Sequence, residues 1–389
     1  MDELVSTTEQ NVEVTSAEAT EESTSNMDHK REGTKLWENL FFIISVVASI
    51  VMMYVQSRSA SQEAEKPFAE VIAGVDVKYL LICLGLVLLM IVFDSFKYNV
   101  IIRTTTGKSN YPASLKVSLM GKFYDNITPF SSGGQPFQIY YLHQKGYSGG
   151  RCSAIILFKY SVNMALRLII SAALMLFNAR SLWVLQDPTQ QTFYQVAGWI
   201  GFAINFVLAF GIVAFAIFPK ITQRLVKWGM KATNKLKHKK VHGTTKRSQA
   251  VAEDFRKTFA QMIKKPINLL LMLLYCLVEL ALSTVLPYYV VLALCGDAVT
   301  PGWALMLDIA TLNVFSQLGT SFVPTPGTSG AVENLFMLTL THIATGVLFW
   351  TVFSWRFLSY YSFIVIGLFM SIEKFIRQHR QRKALQNLQ

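Results

Sequence analysis

The sequence predicts an all-α polytopic membrane protein, and three observations carry that prediction. Of 389 residues 52% are apolar and only 15% charged, whereas soluble chains carry roughly a quarter charged residues. The apolar residues gather in runs longer than about 18 residues, and about 20 residues of helix cross a hydrocarbon core. The net charge of +12 is segregated into blocks beside those runs, the pattern that orients membrane helices. Buried helices of a large soluble core are the alternative. Eight such runs with so little charge argue against it.

In chain order, residues 1–35 form an acidic, Ser/Thr-rich N-terminus (Glu9, Glu13, Glu18, Glu21, Glu22). With little to bury it is expected to be disordered and cytoplasmic, and it lacks the basic start and apolar middle of a signal peptide. The transmembrane domain is expected over 36–376, with about eight spans at 36–56, 78–100, 152–178, 194–218, 267–294, 303–321, 332–353 and 357–376. The acidic loop 57–77 belongs outside. The loop 101–151 (Arg103, Lys108, Lys116, Lys122, Lys145, Arg151), the basic loop 220–265 and the basic tail 377–389 belong inside. Eight crossings from an inside N-terminus satisfy all of these assignments. The basic loop also admits nucleic-acid binding, but beside membrane helices it marks the cytoplasmic face, and no nucleic-acid partner is expected.

Two segments depart from plain spans and loops. Gly121 to Gln138 contains Thr128-Pro129, which stops a helix, then Gly133-Gly134-Gln135 and Pro136, which suits the first turn of the next. Its glycine amides at a helix N-terminus suit an anion such as phosphate; the alternative is a plain turn between two helices. Phe322 to Glu333 repeats this grammar: Pro324 and Pro326 break a helix, Gly327 and Gly330 supply a turn, and Glu333 opens the next helix, where the dipole favours a carboxylate. Irregular backbone at membrane depth must be buried or line a wet cavity, so both segments are expected to be re-entrant or broken helices. Paired interruptions in two halves point to a transport site and to an inverted repeat.

Ionisable residues inside spans are functional candidates. Asp94 and Lys97 stand at i, i+3 and suit a salt link. Lys159, Asn163 and Arg167 lie at i, i+4, i+8 on one face, a cationic stripe that suits an anionic headgroup; Lys159 alternatively snorkels to the interface. Glu279 is a lone acid in a very apolar span. Asn313, Ser316, Gln317 and Thr320 form a polar stripe suited to interhelical hydrogen bonds. Four scattered cysteines without a CxxC pair, and six histidines without metal-ligand spacing, predict no metal and no cofactor. No catalytic nucleophile is apparent.

The Thr128-Pro129-Phe130, Gly133-Gly134 and Pro136 run, with Pro324-Thr325-Pro326-Gly327 through Gly330 and Glu333, resembles the lysylphosphatidylglycerol synthase transmembrane (flippase-like) family, the membrane domain of the bacterial multiple peptide resistance factor. The resemblance covers roughly 36–376. Arg103 and Arg356 also sit where that family tends to place arginines. The second motif commonly reads Pro-Gly-Gly before its last glycine, and here Thr328-Ser329 replaces part of it.

The resemblance implies a bacterial plasma-membrane protein, multi-pass with both termini cytoplasmic, that translocates phospholipid or a related lipid-linked anion. It also implies an alternative, phosphatidylglycerol lysyltransferase, linked to cationic-peptide resistance. The synthases carry a large aminoacyltransferase domain after the membrane region, whereas this sequence ends about a dozen residues past its last expected span, so translocation is the favoured expectation. Membrane phospholipid is the expected partner; a separate lipid-modifying enzyme and a second copy of the chain are further ones.

Overall fold

The computed structural model describes residues 66–218, apart from 184 and 186, and 244–373, with single positions at 47, 51, 54, 55 and 224. The acidic N-terminus, the basic tail, residues 225–243 and most of the span expected at 36–56 lie outside the described residues.

Eleven helices run through the described residues, all within the compact unit Ser49–Gln389. They are α1 (Phe68–Gly74), α2 (Val77–Thr106), α3 (Tyr111–Ile127), α4 (Gly134–Gln144), α5 (Gly149–Phe177) and α6 (Pro188–Ile217). After the undescribed stretch come α7 (Thr244–Ile263), α8 (Pro266–Cys295), α9 (Trp303–Thr320), α10 (Ala331–Leu340) and α11 (Leu348–Arg356). A π turn at Phe357–Tyr361 carries α11 on to Glu373. Among the described residues there is no strand, only an isolated antiparallel bridge between Pro129 and Pro326. Helices α2, α5, α6, α8 and the continuous Leu348–Glu373 are each long and apolar enough to cross a bilayer. Their outer faces leave Leu88, Phe177, Val207, Ile267 and Phe369 exposed, an apolar surface that a water-soluble monomer does not sustain. The protein is a multi-pass, all-α membrane protein.

Local chemistry sets the helix ends. Asp76, Asn110, Ser148 and Asp187 cap α2, α3, α5 and α6, each side chain accepting a first-turn amide, the preferred N-cap arrangement. Pro112, Pro188 and Pro266 stand in first turns, where a missing N–H costs nothing. Thr128, held extended ahead of Pro129, ends α3, as the residue before a proline tends to.

Helices α2 and α8 pack antiparallel. The amide of Asp76 donates to Ala293 O at 2.9 Å, and at the other end Lys265 Nζ donates to Thr104 O at 2.8 Å. Each leads into a broken hairpin and then another long helix: α2, α3–α4, α5 in one half and α8, α9–α10, α11 in the other. Because α2 and α8 run oppositely, the hairpins enter from opposite ends of the bundle. Their tips meet at the Pro129–Pro326 bridge, where Gly327 N also donates to Thr128 O at 3.4 Å. The two halves thus have the antiparallel relationship expected of an inverted repeat.

This arrangement corrects the division into spans. Residues 303–321 and 332–353, expected to cross separately, instead turn back on each other as α9 and α10. The break expected between 353 and 357 is absent, because no proline or glycine interrupts Ser354-Trp355-Arg356. The chain instead turns at 341–347, where Gly346 takes a φ of 73°. Replacing two crossings by one hairpin leaves the parity of the spans unchanged. The loop expected over 101–151 likewise contains a hairpin, with Lys122 drawn into the bundle.

Small residues let α6 and α9 touch backbone to backbone. A Cβ at Gly201 would strike the carbonyl of Leu318, and one at Gly198 would strike the Phe315 ring. A backbone carbonyl has nowhere to retreat, so Gly201→Ala is expected to cost about 1–3 kcal/mol, seen as a lower Tm of the detergent-solubilised protein.

Candidate functional site

The hairpin tips are strained in a way the glycine pattern did not foretell. In the first tip the left-handed backbone falls on Phe130 (φ 57°) and Ser131 (φ 49°), while Gly133 is right-handed at φ −80°. Gly133 and Gly134 are needed for close approach instead: a Cβ on them would meet the side chains of Thr128 and Asp125. Those side chains also cap the new helix. Gly133 N donates to Thr128 Oγ1 at 2.8 Å and Gly134 N to Asp125 Oδ1 at 2.9 Å. The amides expected to hold an anion already have acceptors, one of them a carboxylate. In the second tip, where a turn was expected, Gly327 (57°) and Gly330 (84°) take positive φ, joined by Thr328 (57°). Non-glycine residues in this region cost about 1–2 kcal/mol each and concentrate at functional sites.

Tyr360 and Arg356, from the π turn and the helix before it, fasten the tips. The Tyr360 phenol donates to Asn126 O (2.9 Å) and Pro326 O (3.2 Å), and Asn126 Nδ2 donates back to Tyr360 O (3.1 Å). Arg356 Nε pairs with Glu333 Oε1 at 2.5 Å and Nη2 donates to Gly327 O at 3.1 Å. Glu333 is fully buried. A π turn is a frequent device at functional sites.

Above and around these tips lies a cavity of about 740 Å³, of mixed polar and apolar lining, within the range of ligand pockets. A chain of alternating charges forms one wall. Lys97 is completely buried between Asp94 (2.9 Å) and Glu279 (3.3 Å). Asp94 also takes Lys159 at 3.1 Å and the Ser118 hydroxyl, and Glu279 takes Lys122 at 3.3 Å. Three cations thus face two carboxylates, with the two terminal ammonium groups, Lys122 and Lys159, toward the cavity. Removing the central cation strands both carboxylates, and breaking a buried pair costs about 3–5 kcal/mol. Lys97→Met is therefore expected to lower the yield of monodisperse protein on size exclusion, far more than Lys122→Met does.

Arg167 differs from these groups. It lines the same cavity, and its Nη1 donates to the neutral Gln317 Oε1 at 2.8 Å. Among the described residues no carboxylate pairs with it. Asn163, one turn away on the same face, also lines the cavity, and its Oδ1 is buried without a hydrogen-bond partner.

Of the residues singled out from sequence, Asp94, Gln135, Lys159, Asn163, Arg167, Glu279, Gln317, Gly327 and Arg356 line the cavity. Thr128, Pro129, Gly133, Gly134, Pro324, Pro326 and Gly330 shape the tips without lining it. Glu333 stands behind Arg356. Arg103 is exposed in the last turn of α2, apart from this group. Lys122, Asp125 and Tyr360 were missed. Lys122 and Asp125 share a face of α3 at i, i+3, a signal obscured by treating 101–151 as a loop. Among the described residues no group of three metal-ligating side chains occurs.

Residues 42–367 match the family model described as the lysylphosphatidylglycerol synthase TM region. The chain belongs to this family. The match spans both hairpins and all five long apolar helices except the last few residues of Leu348–Glu373. No curated protein matches the chain, and no solved structure matches it. The two Pro/Gly motifs that carry the family resemblance are the two tips that touch.

Proposed function

We propose that this protein handles anionic phospholipid, holding a phosphate-bearing headgroup in the central cavity and passing it between the leaflets of a bacterial plasma membrane, with both termini cytoplasmic. The observation that carries this reading is Arg167, a cation in the cavity wall whose hydrogen-bond partner is neutral. A guanidinium fork matches phosphate oxygens, and in a low-dielectric site an anion is the partner that offsets its burial. Lys159, two turns before Arg167 on the same face of α5, and Lys122 on α3 add positive potential. The two strained tips suit a site that must take hold and let go.

The test is leaflet exchange of fluorescent phosphatidylglycerol in proteoliposomes holding the purified chain, read by quenching from outside. Exchange faster than in protein-free vesicles is expected, and faster for anionic than for zwitterionic lipid. Protein-free rates for every anionic lipid would overturn the proposal. Lysyl-phosphatidylglycerol formed on adding charged tRNA would replace it with an enzymatic one.

A further inference from the structure

A headgroup in this cavity needs an exit for its hydrocarbon tails, and one side of the cavity supplies a path. Helices α6 and α9 are closed against each other where Gly198 and Gly201 meet Phe315, Leu318 and Gly319. Further along α6 the walls part. Ile204 (37% exposed) and Leu208 (46%) on α6, with Phe322 (36%) just beyond α9, both line the cavity and face outward. Residues with both properties mark an opening, and here all three are apolar. Among the described residues, the side-chain link across this part of the seam is Asn205, itself buried, which donates from Nδ2 to Ser321 Oγ at 2.8 Å and, within its own helix, to Gly201 O at 2.7 Å; further back, Tyr194 donates to Leu312 O at 3.4 Å. The opening also has a side. Helix α6 begins at the end of the bundle opposite Arg103 and Lys265, so residues 204–208 lie nearer that basic end than the closed glycine contact does.

We propose that the cleft between α6 and the tip of the α9–α10 hairpin is a lateral portal. Through it the acyl chains of a lipid remain in the bilayer while its headgroup sits at Arg167. The portal opens toward the leaflet at the basic end of the bundle, and Asn205–Ser321 is its latch. This rests on the lipid-handling reading above and adds the path, the side and the latch. The occupant is a lipid because Ile204, Leu208 and Phe322 offer no polar group to a water-soluble phosphate, and because the opening is continuous with the cavity that holds Arg167. Glycine contacts on one side of the latch and bulky apolar residues on the other give the seam a hinge and a mouth.

Two experiments test it. In a chain whose four cysteines are replaced by Ser, Asn205→Cys and Ser321→Cys are introduced together and joined by oxidation, or by a short bis-maleimide. Exchange of fluorescent phosphatidylglycerol is expected to fall from the reduced protein's rate to the protein-free rate, with reductant reversing the disulfide's effect. Undiminished exchange after complete cross-linking overturns the portal while leaving the lipid-handling reading intact. Loss of exchange in the unmodified chain fails that reading instead. Should the double variant be inactive when reduced, the unmodified chain decides the matter in nanodiscs of phosphatidylglycerol with a diazirine midway along one acyl chain. Labelling at 204–208 and Phe322 is expected and is expected to be lost in Arg167→Ala, while labelling at Leu176 and Phe177, on the outer surface, persists. Labelling at 204–208 that ignores Arg167 is ordinary lipid contact and overturns the portal.

Discussion

Arg167→Ala is expected to bring leaflet exchange of anionic phospholipid down to the protein-free rate while the protein stays folded. Charge-assisted hydrogen bonds contribute about 1.5–3 kcal/mol each, so losing the guanidinium weakens the hold on a headgroup by roughly one to two orders of magnitude. The fold has little stake in this side chain. Its partner Gln317 keeps a second hydrogen bond, to Asn313 at 2.9 Å, and no carboxylate is stranded. Arg167→Lys retains the charge but not the planar fork, so an intermediate rate is expected. Exchange at the wild-type rate in Arg167→Ala, with the same elution profile, would move the headgroup site elsewhere in the cavity.

Arg356→Ala is expected to show the opposite division, a large loss of stability that precedes any effect on lipid. The guanidinium joins Glu333 on α10, Gly327 O in the tip and the Tyr360 ring, 4.4 Å away. Removing it leaves a fully buried carboxylate without its cation, at a cost of about 3–5 kcal/mol. Glu333→Gln breaks the same pair from the other side and is expected to lower Tm in detergent as well. Replacing both partners with apolar residues, as in Glu333→Leu with Arg356→Met, is expected to recover much of that loss, because neither charge is then buried alone. If the double replacement melts no higher than Arg356→Ala, the ion pair is not the source of the stability. From sequence Glu333 suited the first turn of a new helix, where the dipole favours a carboxylate. Its burial and its contact with Arg356 give it a first role in holding the second hairpin.

Much of this architecture was legible because membrane helices announce themselves by length and hydropathy. The spans expected at 78–100, 152–178, 194–218 and 267–294 coincide with α2, α5, α6 and α8 to within a few residues. The caps and prolines that end them are local signals. The hairpins were legible as interruptions and not as hairpins, because hydropathy registers how apolar a segment is and not whether it crosses. Helix α9 is apolar enough to be mistaken for a span, and α10 with the start of α11 summed to another. The site divides in the same way. Arg167, Glu279 and Arg356 stand out as charges in apolar surroundings. Lys122 and Asp125 lie in a segment of mixed character where charge is unremarkable. The pairing of Lys97 with Glu279 spans 182 positions, a contact that no local pattern encodes. Positive φ on Phe130 and Ser131 has no signal in their residue types, and Gly133 and Gly134 serve close approach to Thr128 and Asp125 instead.

The meeting of the tips at Pro129 and Pro326 has a mechanical consequence. Two prolines face each other there, and neither has an N–H to offer, so the joint between the halves is poor in backbone hydrogen bonds. Its cohesion rests on the Gly327 amide, the Tyr360 phenol and the Asn126 amide, each worth about 1 kcal/mol net. Away from the tips the halves are joined by the packing of α2 on α8 and by the ion pairs of Lys97 and Lys122 with Glu279, which survive if the joint parts. The tip joint is therefore a local weak point inside a bundle whose halves stay fastened elsewhere, so the tips can part without the halves separating. A parting confined to the tips is a loop-scale motion, in the nanosecond-to-microsecond range.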